Sequence, residues 1–286
     1  MENKYSKRES VPIVDGKSFE YYRHVSTKEG FPMVSLIVPT YNLKNFISET
    51  VSSIKAQTAS SDLFEVLFVD DCSIDGTRDA TISEMKGLQN AFSIKTPQNL
   101  GAWNAKNYGV RSSRGKYVML LDGDDFLEPD AIKSTLEFMA SHPEVAYSYS
   151  QHRKIDEAGR ILYTRYGVDY SREKLLEFNF IGAVECFKRS LFDDLEGFRN
   201  FYVEDYDFAL RASELLNPDQ ISRNPEVLYN HRLHIKGKTN GADKARSSAM
   251  EAIRNSILRK EGLEVEVKFQ GKNEENNTCF SWQKVA

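Results

Sequence analysis

The stretch that decides the fold is Lys116-Tyr-Val-Met-Leu-Leu-Asp-Gly-Asp-Asp-Phe-Leu-Glu-Pro-Asp130. Its apolar run, Tyr117 to Leu121, has the length and side chains of a strand buried on both faces, as in a helix-covered parallel sheet. Three carboxylates follow within four positions, at Asp122, Asp124 and Asp125. They therefore lie at the carboxyl end of the strand, which is the edge where open α/β sheets bind ligands.

These crowded carboxylates predict a metal site. They repel one another unless a cation or several hydrogen-bond donors neutralise them, and hard divalent cations prefer such oxygen ligands. The alternative is an acidic turn that only caps the following helix, which Pro129 would start. A calcium loop of EF-hand type fits poorly, because Phe126 and Leu127 stand where a further ligand and the obligatory glycine belong.

Strands and helices alternate on the amino-terminal side of this stretch. Buried strands are predicted at Val34 to Val38, Phe64 to Val69 and Phe92 to Ile94, with helical spacing of apolar residues between them. Because parallel strands need crossover connections, this alternation predicts an α/β fold with a Rossmann-like, mostly parallel central sheet covered by helices.

Composition divides the 286 residues into three segments. Residues 1–32 are polar and punctuated by Pro and Gly, which indicates a leader that wraps the outside or is partly mobile. Residues 33–240 carry the α/β domain. Residues 241–286 predict a C-terminal helix and a β-hairpin extension.

Charge and hydropathy exclude several classes. The net charge of -4 argues against nucleic acid as a partner. No apolar run approaches the ~20 residues of a membrane span and no signal peptide is recognisable, so a cytoplasmic location is expected. The basic helix at 249–260, with Arg254, Arg259 and Lys260, leaves two interpretations open: docking on the core, or peripheral contact with the inner face of a membrane.

Five short motifs, taken in order, resemble those of the family 2 glycosyltransferases of GT-A fold. They are Val38-Pro-Thr-Tyr-Asn42, Val69-Asp-Asp-Cys-Ser-Ile-Asp-Gly-Thr77, Gln98-Asn-Leu-Gly101 with Ala105-Lys-Asn107, Leu121-Asp-Gly-Asp-Asp125, and Glu204-Asp-Tyr-Asp207. The resemblance covers residues 33–235. It implies an inverting enzyme that moves a sugar from a UDP-sugar donor to a hydroxyl of a glycan, lipid-linked or protein-linked acceptor.

The resemblance implies a donor site formed by the first four motifs. Tyr41 offers a stacking face for the nucleobase, and the Asp71 carboxylate can accept the imide N–H of uracil. Lys106 stands where the family usually has arginine, so it keeps a positive charge near the diphosphate without a bidentate fork. The full set of expected donor-binding residues is Pro39, Thr40, Tyr41, Asn42, Asp71, Asn99, Lys106, Asp122 and Gly123.

The resemblance also implies a metal site and a base. Asp124, Asp125 and His234 of the late Arg-x-His element are the expected ligands of Mn²⁺ or Mg²⁺, although a strand-end histidine without that role is the alternative. Asp205 is the expected general base for the acceptor hydroxyl. Helical spacing predicts that Asp205 points inward while its neighbours Glu204 and Asp207 point elsewhere.

Glu204 and Gly182 are expected on the acceptor side, next to the loop 197–203. A Rossmann dehydrogenase is disfavoured, because no Gly-x-Gly-x-x-Gly turn follows the first strand. A phosphatase of the haloacid dehalogenase type is disfavoured because Ser73 replaces its nucleophilic Asp. The remaining alternative is a catalytically inert GT-A module that only binds a nucleotide sugar or carbohydrate.

Overall fold

A computed structural model describes residues 21–24, 32–234, 243–260, 265–272 and 278–284. Most of the predicted leader and residues 235–242 lie outside these ranges. The strands are β1 (Tyr21–His24), β2 (Val34–Thr40), β3 (Phe64–Asp70), β4 (Ala91–Lys95), β5 (Tyr117–Leu120), β6 (Phe126–Leu127), β7 (Tyr147–Ile155), β8 (Ile161–Arg165), β9 (Cys186–Lys188), β10 (Ile221–Arg232), β11 (Val265–Lys272) and β12 (Thr278–Lys284). The helices are α1 (Ile47–Lys55), α2 (Thr77–Glu84), α3 (Ala102–Ser112), α4 (Ala131–Ser141), α5 (Arg172–Glu177), α6 (Arg189–Asp194), α7 (Glu204–Leu215) and α8 (Asp243–Lys260), with a 3₁₀ turn at Pro218–Gln220.

One central sheet runs in the order β1-β4-β3-β2-β5-β9-β7-β10-β6, with β8 paired to β7. Strands β4, β3, β2 and β5 are parallel, which confirms the α/β fold class. Beyond β5 the sheet is mixed, because β9 inserts antiparallel between β5 and β7. Strand β10 then returns parallel to β7 and brings its carboxyl end beside the acid-rich loop that follows β5.

Helices cover both faces of the parallel strands. Residues on one face of β2 and β3, such as Ile37 and Val69, pack in the same core as Phe208 of α7. Val38 and Phe68 face the opposite side and pack with Val51 of α1. Burial on both faces explains why these strands are continuous apolar runs without polar alternation.

The ends of the chain differ in part from the prediction. No strand is predicted in the leader, but Tyr21–His24 forms β1 and pairs antiparallel with β4. Helix α8 and the antiparallel hairpin of β11 and β12 lie in the predicted C-terminal extension. The division into three domains stays a prediction.

Helix α8 packs on the core through Met250, Ile253 and Arg254. Met250 and Ile253 belong to the apolar cluster beneath α7. The Arg254 side chain is fully buried, with its guanidinium 4.6 Å from the centre of the Tyr206 ring. This part of the helix therefore faces the protein. Among the described helices, none has the length and apolar character to cross a membrane.

A buried amide holds α3 against the segment that leads into α7. Asn107 Nδ2 donates to the Phe198 carbonyl oxygen at 2.8 Å, and the Phe198 N–H donates to Asn107 Oδ1 at 2.8 Å. Both residues are buried. Because the Asn107 amide pairs with both backbone polar groups of Phe198, it fixes the segment that leads into α7 relative to α3.

We therefore predict that Asn107→Ala lowers the free energy of unfolding by about 3 kcal/mol, because two buried backbone groups lose their partners. Asn104→Ala, on the same helix but only half-buried, is the matched control and should cost less than about 1 kcal/mol. Urea titration followed by circular dichroism measures both. Equal losses for the two variants would contradict the role assigned to Asn107.

Candidate active site

Asp125 anchors the acid loop to β10. Its Oδ2 accepts the Tyr229 hydroxyl at 2.7 Å, and its Oδ1 accepts the Arg232 backbone N–H at 2.7 Å. The Tyr229 oxygen accepts in turn from the Asp122 backbone N–H at 3.1 Å. Burial, together with the charges of Asp124 and Asp122, raises the pKa of Asp125. Since both carboxylate oxygens are bonded to β10, Asp125 is placed to support the loop.

Asp124 and His234 lie side by side next to this anchor. His234 Nε2 is 2.8 Å from Asp124 Oδ2, and the imidazole packs against Phe46 with ring centres 4.6 Å apart. The Asp124 side chain keeps 22% of its surface exposed. Arg232 Nε donates to the Asp124 backbone oxygen at 2.9 Å, which holds this part of the loop against β10.

The Asp124 and His234 pair suits a divalent cation that a ligand helps to hold. In the described ranges, no group of three or more His, Cys, Asp or Glu side chains is arranged to hold a metal. Mg²⁺ and similar hard ions commonly take only one or two protein ligands and complete their shell with substrate phosphates and water. One carboxylate and one imidazole therefore fit a cation shared with a bound diphosphate.

Lys106 links the acid loop to the start of α7. Its Nζ lies 3.0 Å from Glu204 Oε1 and 4.0 Å from Asp122 Oδ1. Burial lowers the pKa of Lys106, but the charges of Glu204, Asp122, Asp205 and Glu185 outweigh burial and raise it. The ammonium group is thus a fixed positive charge between the acid loop and the start of α7, and it brings the two elements close together.

Helix α7 begins with three acids, and their orientations differ in part from the prediction. Asp205 is half-buried near Lys106. The expectation that Glu204 and Asp207 point elsewhere is wrong, since both are buried. Glu204 pairs with Lys106, and Asp207 Oδ2 accepts from Arg211 Nε at 2.8 Å. Apolar periodicity missed this because it assigns charged residues to the solvent side, whereas Glu204 is buried with Lys106 of α3 and Asp207 with Arg211 one turn along α7. The role of Asp205 as base stays a prediction.

The first two expected donor-binding loops are hydrogen-bonded to each other. The Asn42 N–H donates to Ser73 Oγ at 3.0 Å, and the Ile74 N–H donates to Asn42 Oδ1 at 3.0 Å. Thr40 is buried beside β3, and Tyr41 keeps 43% of its surface exposed, as a stacking platform requires. Gly123 approaches this region so closely that a Cβ atom there would lie 2.8 Å from the Pro39 carbonyl oxygen.

Asp71 closes the loop that carries Asn99. Its carboxylate accepts from Thr96 Oγ1 at 2.9 Å, the Leu100 N–H at 3.0 Å and the Gly101 N–H at 2.7 Å. The neighbouring Asp70 differs, because its buried Oδ1 has no hydrogen-bond partner within the described residues. Sequence reasoning gave Asp70 no role. The structure places both acids at the edge where a nucleobase is expected, and nucleobase contact stays a prediction for Asp71.

Glu185 is a site residue that sequence reasoning missed. It directly precedes β9, and its backbone oxygen accepts from the Leu120 N–H at the end of β5 at 3.2 Å. Burial and the charge of Asp205 raise the pKa of Glu185 to about 8. The available signal was a single acid inside the apolar run 181–187. Gly182 lies nearby in sequence against His152, where a Cβ would be 2.9 Å from Nδ1, and its acceptor-side role stays a prediction.

The parallel strands, the acid loop at their carboxyl edge and the facing acids of α7 define an α/β protein of nucleotide-binding type. A family model, Glycosyl transferase family 2, matches residues 35–195. A chondroitin synthase from Escherichia coli is 31% identical over 236 residues, which cover 80% of this chain and 34% of that protein. The chain therefore belongs to glycosyltransferase family 2, a family of enzymes that transfer sugars.

Solved structures show the same fold. S. aureus TarS 1-349 in complex with UDP-GlcNAc has a TM-score of 0.66 at 20% identity, over 79% of this chain and 66% of that chain. The mannosyltransferase PcManGT from Pyrobaculum calidifontis, in complex with GDP-Man and Mn²⁺, has a TM-score of 0.63 at 22% identity, over 80% of this chain and 65% of that chain. The chain spans between 22% and 34% of the length of the first curated relatives it matches.

We predict that Tyr229→Phe weakens Mn²⁺-dependent binding of UDP about tenfold, because loss of a group that orients a metal-binding loop typically has this effect. The substitution leaves Asp125 Oδ2 and the Asp122 N–H without their shared partner. Titration calorimetry with UDP, with and without Mn²⁺, measures the change.

Tyr149→Phe is the matched control. It removes a hydroxyl that donates to the Val168 carbonyl oxygen at 2.6 Å, so it also removes one hydrogen bond of a tyrosine in the core. It should destabilise the protein without changing UDP affinity. An unchanged affinity in Tyr229→Phe would show that the acid loop does not depend on this contact.

Proposed function

We propose that this protein is an inverting glycosyltransferase that moves a sugar from a UDP-sugar to a hydroxyl of a growing polysaccharide or another glycan acceptor. Family membership and the similarity to a chondroitin synthase support the class of reaction. The observation that carries the proposal is the position of Lys106, whose ammonium group lies 3.0 Å from Glu204 Oε1 at the start of α7 and 4.0 Å from Asp122 Oδ1 of the acid loop.

The donor nucleotide is expected at the carboxyl edge of β2 and β3. The exposed Tyr41 ring supports stacking on the base, and the buried acids Asp70 and Asp71 support recognition of its polar edge. Asn99 lies on the loop that Asp71 closes, within reach of the same edge. The hydrogen bonds that Asn42 forms with Ser73 and Ile74 preorganise these loops before the ligand arrives.

The diphosphate is expected between Asp124 and Lys106. Asp124 and His234 would hold a divalent cation, Mn²⁺ or Mg²⁺, with Asp125 supporting them from β10. When bound, such an ion neutralises charge on the departing diphosphate. Lys106 contributes a permanent positive charge beside Asp122. Its contact with Glu204 fixes the ammonium group before the donor binds. A freely rotating lysine would instead lose rotamer entropy on binding.

Asp205 is the expected base. The acceptor oxygen forms a bond to the anomeric carbon while the bond from that carbon to the diphosphate oxygen breaks, and the acceptor proton passes to the Asp205 carboxylate. A single displacement of this kind inverts the anomeric configuration. Asp205 lies in the first turn of α7, close to Lys106, which supports a role at the transfer site. For inversion it must act on the face of the anomeric carbon opposite the departing diphosphate.

A release screen tests the proposed function. The purified protein is incubated with UDP-glucose, UDP-N-acetylglucosamine or UDP-glucuronate, with Mn²⁺ or Mg²⁺, and with short glycan acceptors. We expect release of UDP with at least one donor, dependent on the divalent ion, and a product of inverted configuration by NMR. Tight binding of the nucleotides without turnover under every acceptor would favour the inert binding module.

Asp205→Asn should lower kcat at least about 100-fold while leaving UDP affinity within about twofold, because the amide cannot accept the acceptor proton. Asp124→Ala should instead weaken ion-dependent UDP binding. Asp193→Asn, an exposed acid on α6, is the control and should match the wild type. Retention of full activity by Asp205→Asn would refute the assignment of the base.

A further inference from the structure

Glu185 is a buried carboxyl group near Asp205 and Lys106 that the transfer reaction described above does not use. Only 7% of its surface is exposed. Its backbone is bonded to Leu120, two residues before Asp122, so its position is fixed by the strand that carries the acid loop. Its Oε2 accepts the Tyr147 hydroxyl at 2.5 Å.

Charged and titratable groups face Glu185 from every surrounding element. Asp205 of α7 is the strongest electrostatic neighbour, followed by the cation Lys106 of α3 and by Asp122 of the acid loop. Glu204 is joined to the same lysine, and Tyr147 of β7 is the hydrogen-bond donor. Four carboxyl groups thus surround one ammonium group. The cluster carries less repulsion when one of the carboxyl groups is protonated.

The Tyr147 contact determines which oxygen carries that proton. Tyr147 donates to Oε2, so Oε2 is an acceptor and the proton of a neutral Glu185 resides on Oε1. Within the part of the chain that the structure describes, Oε1 accepts no hydrogen bond. A neutral carboxyl group therefore carries its O–H donor at Oε1, the oxygen that Tyr147 does not contact.

The sugar of the donor is the group expected next to Oε1. The diphosphate is assigned to the side of Asp124 and Lys106, and the base to Asp205, so the anomeric carbon must lie between them. Glu185 lies within electrostatic range of both Lys106 and Asp205. A sugar hydroxyl here can accept a hydrogen bond from a neutral carboxyl group, which spares the cluster a fourth negative charge.

We propose that Glu185 is a sugar-binding residue of the transfer site, whose neutral carboxyl group donates a hydrogen bond from Oε1 to a hydroxyl of the sugar being transferred. This inference rests on the proposed function and adds a contact that selects the donor sugar. Ionisation of Glu185 removes the O–H donor and adds negative charge near the diphosphate, so it weakens the site.

The pH dependence of transfer tests the proposal. Glu185 has a raised pKa of about 8, so it is protonated below that pH and ionised above it. At pH 9 about a tenth of the molecules keep the proton, and kcat/KM of the wild type should fall about tenfold from its value at pH 7. Glu185→Gln keeps an N–H donor without ionising. It should stay within about threefold of the wild type at pH 7 and should lack this decline.

A second variant moves the decline in a known direction. The Tyr147 hydroxyl lowers the pKa of Glu185 by donating to its carboxylate. Tyr147→Phe removes this stabilisation of the ionised form, so the alkaline decline should shift to higher pH. This variant keeps Glu185 itself, and it tests the proposal even if Glu185→Gln folds poorly. Mg²⁺ is used in place of Mn²⁺ for the alkaline measurements.

A binding comparison separates this proposal from the proposed function. Glu185→Ala should weaken affinity for the most active UDP-sugar of the release screen about fivefold and leave affinity for UDP unchanged, because only the sugar contact is lost. Glu177→Gln, an exposed acid on α5, is the control. Thermal unfolding verifies that each variant is folded.

Two results would overturn the assignment of Glu185. One is an alkaline decline in Glu185→Gln identical to that of the wild type. The other is a folded Glu185→Gln that binds UDP normally but does not transfer at pH 7, which would mean that the ionised form is required. Absence of transfer by the wild type with every donor and acceptor would instead count against the proposed function itself.

Discussion

The hydrogen bonds that Asp125 accepts from Tyr229 and from the Arg232 backbone are the constraint on which the site depends. They join the loop after β5 to the end of β10, two segments separated by 104 residues in the case of Tyr229. Arg232 reinforces the junction by donating to the Asp124 carbonyl oxygen and to the Glu49 carboxylate. With Asp125 fixed, the Asp124 carboxylate and the His234 imidazole are held side by side. Buried carboxylates are costly unless bonded in this way, which is why the loop has one conformation.

A second junction assembles the other wall of the cleft. Lys106 and Glu204 are 98 residues apart, and their contact places the start of α7 opposite the acid loop. A buried ion pair is weak support for stability, because desolvation offsets much of the attraction. Its value here is positional, since removing either partner would leave an uncompensated buried charge. The hydrogen bonds between the Asn107 amide and the Phe198 backbone, which involve no charged group, also hold α3 close to the segment that leads into α7. Together these contacts explain how the acid loop, the Lys106 cation and the acids that begin α7 are held close to one another.

Local patterns in the sequence predicted the parallel half of the fold well. The strands at 34–38, 64–69 and 117–121 are observed as β2, β3 and β5, with ends shifted by one or two residues, because buried apolar runs ending in acids have few other structures available. The motifs also predicted a site at the carboxyl edge of the sheet, formed by Tyr41, Asp71, Lys106, Asp122, Asp124 and His234. What local patterns could not give was any contact between distant segments. The insertion of β9 and the placement of Glu185 beside Tyr147 depend on pairing across the sheet, and the contact of Glu204 with Lys106 depends on packing between α7 and α3. Spacing along one helix or strand encodes neither.

We propose that Asp124 and His234 hold a divalent cation together with the donor diphosphate. Pulsed electron paramagnetic resonance of Mn²⁺ in the presence of UDP tests this most directly, because it reports nuclei bonded to the ion. We expect coupling to phosphorus and to one imidazole nitrogen, with the nitrogen coupling lost in His234→Ala and Mn²⁺ binding lost in Asp124→Ala. Coupling to phosphorus alone in the wild type, or an unchanged nitrogen signal in His234→Ala, would contradict the claim.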